Sequence, residues 1–420
     1  MLEIIGKIWK NKIFVVFAIL IVITFPSTLY PQSDQDKTIV TSSIGIDEKD
    51  GKYDVTILAV IPKDGGDVSS NLELFNGTGK TISEALDDIS LDIGKKIGLS
   101  HCDCIIFSEK LMQNNLAEVL DYFIRTANLS TNPTLIATPN SASDLLDAVK
   151  SSNNLLDLSL KNIITSQEYI SVIDNVTLDR FYRAYLSPHS TFTIPILKTE
   201  DSKSSSEGNK SGASSTTGNA SAEDSSGGGS GGSNQQQSKK ISNDNKIAIL
   251  KDGKYVGTLT DDEMFIYSLI SKPSEYQKFI IEEVNDENVL DSTIVFQEAD
   301  KVIIPICKFV DGKPVMEYNI WLSVMLDEVK GNNHSYSSVS GIKNYLTDVV
   351  EKKFRDQIDV KLQNTNALMR KNQYDIMNVY SKFNAFAYSK FHDYANSLGD
   401  SCQYMKDMTI SINLKLNYVI

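Results

Sequence analysis

The chain has few cysteines, no clustered positive charge beyond its first dozen residues, and a single long hydrophobic run where a polytopic membrane protein would carry several. Cys102, Cys104, Cys307 and Cys402 are too few for a disulfide-built scaffold, and their spacing leaves open which pair would oxidise. None lies near the N-terminus, so no thiol is available there for lipid attachment. With 54 acidic against 41 basic residues and a net charge of -13, the composition argues against nucleic-acid binding, which needs locally dominant Lys and Arg.

The one apolar run, "IFVVFAILIVITFPSTLY", extends from Ile13 to Tyr30 without a charge and follows Lys7, Lys10 and Lys12. Its length, about 18 residues, is near the lower limit for crossing a bilayer. The following "FPSTLYPQS" lacks the small-x-small pattern of a cleavage site, so residues 1–32 are expected to form an uncleaved signal anchor. The lysines before the run orient it with everything after Gln32 on the outer face of the membrane.

Three short motifs invite chemistry. "GTGKT", Gly77 to Thr81, looks like a phosphate loop, but the first glycine of GxxxxGK[ST] would fall at position 74, which is Leu. Thr81 and Glu84 instead form a capping box that starts an amphipathic helix from about Ile82 to Lys96, with Gly77 and Gly79 read as a turn before it. "HCDC", His101 to Cys104, would place Cys102 and Cys104 on one face of a strand, but no second ligand pair completes a zinc site, and two small buried residues are the plainer reading. "SGIK", Ser340 to Lys343, matches the S-x-x-K of acyl-serine enzymes without the accompanying K-T-G, and Ser340 reads better as a helix cap. His189, His334 and His392 have no Ser or Cys neighbour in a local catalytic signature, and the Tyr and Phe residues between 374 and 394 read as core. No residue is assigned a catalytic, cofactor-binding or metal-ligating role.

The Ser/Gly-rich segment 199–245 divides the remainder into an N-terminal α/β domain, 33–198, and a C-terminal α+β domain, 246–420. As a flexible tether, its ends would lie about 35–40 Å apart. Before it, a hairpin turns at Asp50-Gly51, strands are expected around "HCDCIIFS" and "PTLIAT", and helices at 114–126, "SASDLLDAVK" and "VTLDRFYRAYL". After it come a hairpin at Asp252-Gly253, a helix capped by Thr260 and Glu263, and the strands "STIVFQ", "KVIIPICKFV" and "VMEYNIWLSVMLDEV" around an Asp311-Gly312 turn. A long helix through Phe354 and Leu362 follows, an aromatic segment continuing as helix, and a closing strand from Met408. The expected fold is α+β and multi-domain, with mixed, mostly antiparallel sheets flanked by helices and an N-terminal membrane helix.

Laid out in this order, the features resemble the Ger(x)C family of spore germination proteins, the C subunits of nutrient germinant receptors. The "IGID" strand with its hairpin, the block "GTGKTISEALDDISLDIGKKIGLSHCDCIIFSEKL" and the later "KIAILKDGKYVGTLTDDE" carry the resemblance, which runs from about Thr38 onward apart from the tether. It implies a non-enzymatic protein on the outer face of a spore's inner membrane, working with two polytopic subunits of A and B type. Family members are typically lipoproteins, and this chain has no cysteine in the expected place. Two other classes compete: a cell-envelope scaffold or solute-binding protein unrelated to spores, and an envelope hydrolase assembled by folding.

Overall fold

The computed structural model describes residues 37–62, 70–114, 116–126, 132–151, 176–187, 191–200, 240–242, 246–270, 277–286, 289–330 and 349–419, together with Leu129, Leu160 and Ile164. The predicted anchor, 1–32, lies outside them, as do Ser340, Lys343, His189 and His334. Among the described residues no helix is long and apolar enough to cross a membrane.

The first sheet is built around β1 (Thr38–Lys49). It turns through Asp50 and Gly51, both at positive φ, into β2 (Lys52–Pro62), the geometry that matches the twist of a two-residue hairpin. β3 (Ser70–Gly79) adds to the outer edge of β2. On the other side β1 pairs in parallel with β4 (Lys96–Gly98) and β5 (Cys104–Ser108), and β5 with β6 (Thr134–Thr138). Connections between parallel strands need crossovers, and helices supply them. These are α1 (Ile82–Ile93), the short α2 (Glu109–Met112), α3 (Leu116–Arg125) and α4 (Ala142–Ser151), followed by α5 (Leu178–Tyr185). Both faces of the central strands are therefore covered. Ile44, Ile46, Ile105 and Phe107 pack with α1 and α3, while Leu58, Cys104, Ile106 and Ile136 pack with α4.

Gly77 and Gly79 are not in a turn, as expected from sequence, but in β3, paired with Val55 and Tyr53. The reason is the helix that folds back over them. A Cβ on Gly77 would lie 2.4 Å from the Ala85 carbonyl oxygen, and one on Gly79 2.5 Å from the Ala85 nitrogen. α1 also stops earlier than expected, at Gly94 with φ 67°, a left-handed C-cap that glycine adopts without strain.

β7 (Thr191–Pro195) precedes the Ser/Gly-rich segment, β8 (Lys198–Glu200) and β9 (Lys240–Ser242) lie at its two ends, and β10 (Ile247–Lys251) and β11 (Lys254–Thr258) follow it. β8 pairs with β9, Thr199 opposite Ile241, and β7 pairs with β10 in a three-stranded sheet. The ends of the segment are thus neighbours in a ribbon, about 5 Å apart, instead of the separation expected of a free tether. β10 is buried on both faces. Ile247 and Ile249 belong to the core that follows, Ala248 and Leu250 to the core of the first sheet.

Downstream, α6 (Asp261–Ile270) leads to a four-stranded sheet, β12 (Lys278–Asp286), β13 (Val289–Val310), β14 (Lys313–Lys330) and β15 (Thr409–Val419), in that order. β13 and β14 form one long hairpin closed at Asp311-Gly312, and β15 returns parallel to β14. Its inner face packs on α6 and α7 (Glu351–Asn372) through Phe279, Phe296, Ile320 and Phe354. The aromatic segment is not one continuous helix: the chain breaks after α7 at Gln373, in the left-handed region, and again at Ala387 between α8 (Val379–Phe386) and α9 (Tyr388–Ser397). Tyr380 and Tyr404 pack edge-on against each other and against Phe391, which stacks on Phe383, so ring packing in the core overrides helical continuity across these breaks. The whole is a mixed α+β fold of several sheets and helices.

Candidate functional site

At the opening "IGID", Asp47 ends the buried part of β1, and its carboxylate accepts from the Ala142 and Ser143 backbone N–H groups, at 3.0 and 3.2 Å, and from the Ser141 hydroxyl at 2.8 Å. It caps α4 from a position 95 residues earlier in the chain. Gly45, two residues before it, leaves room for the same helix: a Cβ there would lie 3.0 Å from Ala142 Cβ and Leu146 Cδ1.

"GTGKT" is occupied by carboxylates. The Lys80 N–H donates to Glu84 at 2.7 Å, the Thr78 N–H to Asp88 at 2.9 Å, and the Glu84 N–H returns to the Thr81 hydroxyl at 3.1 Å. The amides that a phosphate loop would offer to phosphate here face negative side chains of α1. "HCDC" likewise separates. Cys102 lies in the core with α1 and α3 and Cys104 in the core with α4, so the two do not share a face. Cys102 Sγ donates to the Cys104 carbonyl at 3.3 Å, and burial pushes its thiol up to about 12, against the thiolate a metal would need. His101 is exposed, and exposed His392 stacks on Tyr388 with ring centroids 5.5 Å apart.

A crevice of about 300 Å³ lies between α5 and β7 on one side and the turn before α8 on the other. Arg180, Arg183 and Ser187 come from before the Ser/Gly-rich segment; Tyr267, Asp375, Asn378 and Ser381 come from after it. Asp375 organises the floor. Its carboxylate accepts from the Val379 and Tyr380 N–H groups, each at 2.8 Å, and from the Tyr404 hydroxyl at 2.7 Å, while its own N–H donates to Thr191 Oγ1 of β7 at 3.2 Å. Asp375 thus caps α8 and ties the two walls together; with three donors on its carboxylate it is spent on structure. Behind it, buried Glu263 completes the expected capping box with Thr260 and also accepts from the Tyr374 hydroxyl. Burial, then the Glu263 carboxylate, raise the Tyr374 pKa above its ordinary value. Lys382 donates to the Met377 carbonyl at 2.6 Å and lies over the Tyr318 ring; burial lowers its pKa.

A second feature is a face. Along β13 and β14 the side opposite the core carries Val302, Ile304 and Trp321, exposed by 48%, 46% and 40% respectively, where an uncovered sheet ordinarily shows polar residues. Sequence reasoning missed this face and the Asp375 floor. The 302–307 stretch of β13, "VIIPIC", reads as continuous apolar, so its two sides cannot be told apart, and Asp375 carries no local signature.

The chain matches the family model described as spore germination protein N-terminal domain over residues 32–199, and the model described as spore germination B3/GerAC like, C-terminal, over residues 245–418. It belongs to the GerAC-like spore germination family. The GerAC-like chain is 32% identical to spore germination protein B3 of Bacillus subtilis (strain 168) over 117 residues, a stretch covering 27% of this chain and 31% of that protein's own length. It also aligns with the crystal structure of the GerBC protein at 17% identity and a TM-score of 0.47, over 90% of this chain and 97% of the other.

Proposed function

We propose that this GerAC-like protein is a non-enzymatic subunit of a spore nutrient germinant receptor, held at the membrane by residues 1–32 with the rest of the chain on the outer face. It acts through protein contacts with two polytopic subunits of A and B type. The observation that carries this is the pair of germination-family matches, 32–199 and 245–418, which together account for nearly all of the chain after the anchor. They also support two germination-type domains, 33–198 and 246–420, on either side of the Ser/Gly-rich segment. The apolar face of β13 and β14 supports the contact role, since such a patch on a folded domain marks a binding surface. The Asp375 carboxylate, saturated by three donors, supports a structural crevice over a catalytic one.

Deleting the gene is expected to abolish germination with one defined nutrient class while leaving sporulation intact, and a tagged chain to co-purify two polytopic proteins from detergent-solubilised spore membranes. Normal germination across nutrients in the deletion strain, with no polytopic protein retained, would overturn the proposal. The 300 Å³ crevice favours one second reading, a solute-binding envelope protein; growth-phase expression and solute-dependent stabilisation of the purified chain would select it.

A further inference from the structure

The uncovered side of the β12–β15 sheet is apolar along one line. Ile320 and Leu322 of β14 belong to the core, so Trp321 and its alternate neighbours point away from it. Beside them on β13 stand Val302, Ile304, Ile306 and Val310, of which Ile306 is half-buried and the others exposed. On the far side of β14, β15 presents Ser411, Asn413, Lys415 and Asn417, all polar. β12 pairs with β13 only as far as Gln297, so among the described residues the apolar stripe runs along the edge of the sheet. Just before Val302 a bulge between Glu298 and Asp300 twists β13, which sets the exposed Ile280, Met325 and Val419 apart from the stripe.

We propose that an amphipathic helix of a partner subunit lies lengthwise on this stripe, its apolar face on Val302, Ile304, Val310 and Trp321 and a carboxylate of its polar flank at Lys415. The inference rests on the protein-contact reading above. Width favours a helix: two neighbouring strands make a stripe about 10 Å across, the breadth of one helix. At about 27 Å long the stripe offers only about 300 Å², against about 800 Å² per partner in a stable interface. A second copy of this chain would have to bury the polar β15 row as well to reach that area. An added strand is disfavoured by Pro305, which sits in the middle of the edge and has no N–H to donate. Charge is matched in the same way. Lys308 and Lys313 are already paired, with Glu317 at 2.7 Å and Asp407 at 3.5 Å, whereas Lys415 borders the stripe with its ammonium 5.8 Å over the Trp321 ring.

The test is photo-crosslinking of the full-length chain in spore membranes, with benzoylphenylalanine placed singly at Val302 or at Val310 and the crosslinked residues read by mass spectrometry. Eight strand steps separate the two positions, about 27 Å, which a helix covers in about 18 residues and a strand in about 8. The two probes are expected to label one partner segment at sites about 18 residues apart, with apolar residues between them at helical spacing. Lys415→Glu should cut the yield at Val302 several-fold, and an unchanged yield would overturn the charge match. Sites about 8 residues apart, adducts of the chain with itself, adducts with lipid alone, or no adduct from a chain that still co-purifies two polytopic proteins would each overturn this proposal alone. A chain that retains no polytopic protein overturns the receptor-subunit reading, and this proposal with it.

Discussion

Asp47 shows how much one side chain can organise. Its carboxylate joins the local Ser141 hydroxyl in capping α4, and it does so across the sheet, fixing the helix to the end of β1. Asp47→Ala should therefore cost about 1–2 kcal/mol in urea unfolding, with Asp47→Asn recovering part of it. Gly77→Ala should cost about 1–3 kcal/mol by forcing α1 off β3, whereas Gly51→Ser meets no neighbour and should cost about 1–2 kcal/mol through its left-handed backbone alone. Asp262 offers a pH handle. Lys361 and Asn364 donate to its carboxylate at 2.8 and 2.7 Å and hold its pKa below the ordinary aspartate value of 3.8. A carboxylate with a depressed folded-state pKa contributes stability that is present above the unfolded pKa and lost as pH falls through the folded one. The α6–α7 contact should therefore weaken below about pH 4, and Asp262→Asn should remove that part of the acid dependence of the unfolding midpoint. The capping boxes at Thr81 and Thr260 and the Asp-Gly turns were legible in the sequence because their partners are three residues or fewer apart. Asp47 was not, because its partners are nearly a hundred residues away.

Among elements, those with strong period were legible and those with mixed composition were not. β3 was missed because glycine, asparagine and serine disfavour a strand, although close approach by α1 is what selects the glycines. β12 was missed because the acidic "EEVND" hides an edge strand, and the breaks at Gln373 and Ala387 have no Pro or Gly to announce them. The β8–β9 ribbon changes the expectation for the Ser/Gly-rich segment. Because its ends are already paired, replacing residues 203–238 with a short Asn-Gly turn should leave the melting temperature within a degree or two of wild type, since shortening a closed loop changes its entropy only slowly. Separation of the two halves into independent melting transitions on that replacement would refute the ribbon.

At the scale of the whole molecule, the shared strand β10 couples the two large cores. Leu250→Ala should cost about 2–5 kcal/mol, and, although Leu250 lies in the core of the first sheet, hydrogen exchange in β13 and β14 should rise as well. The candidate site was largely illegible for the same reason: the crevice and its Asp375 floor exist only where segments from opposite ends of the sequence meet. β10 also bears on biosynthesis. A nascent chain that has emerged only as far as Glu200 still lacks Ala248 and Leu250 from its first core, so the N-terminal half cannot complete itself on the ribosome until the far side of the Ser/Gly-rich segment has been translated.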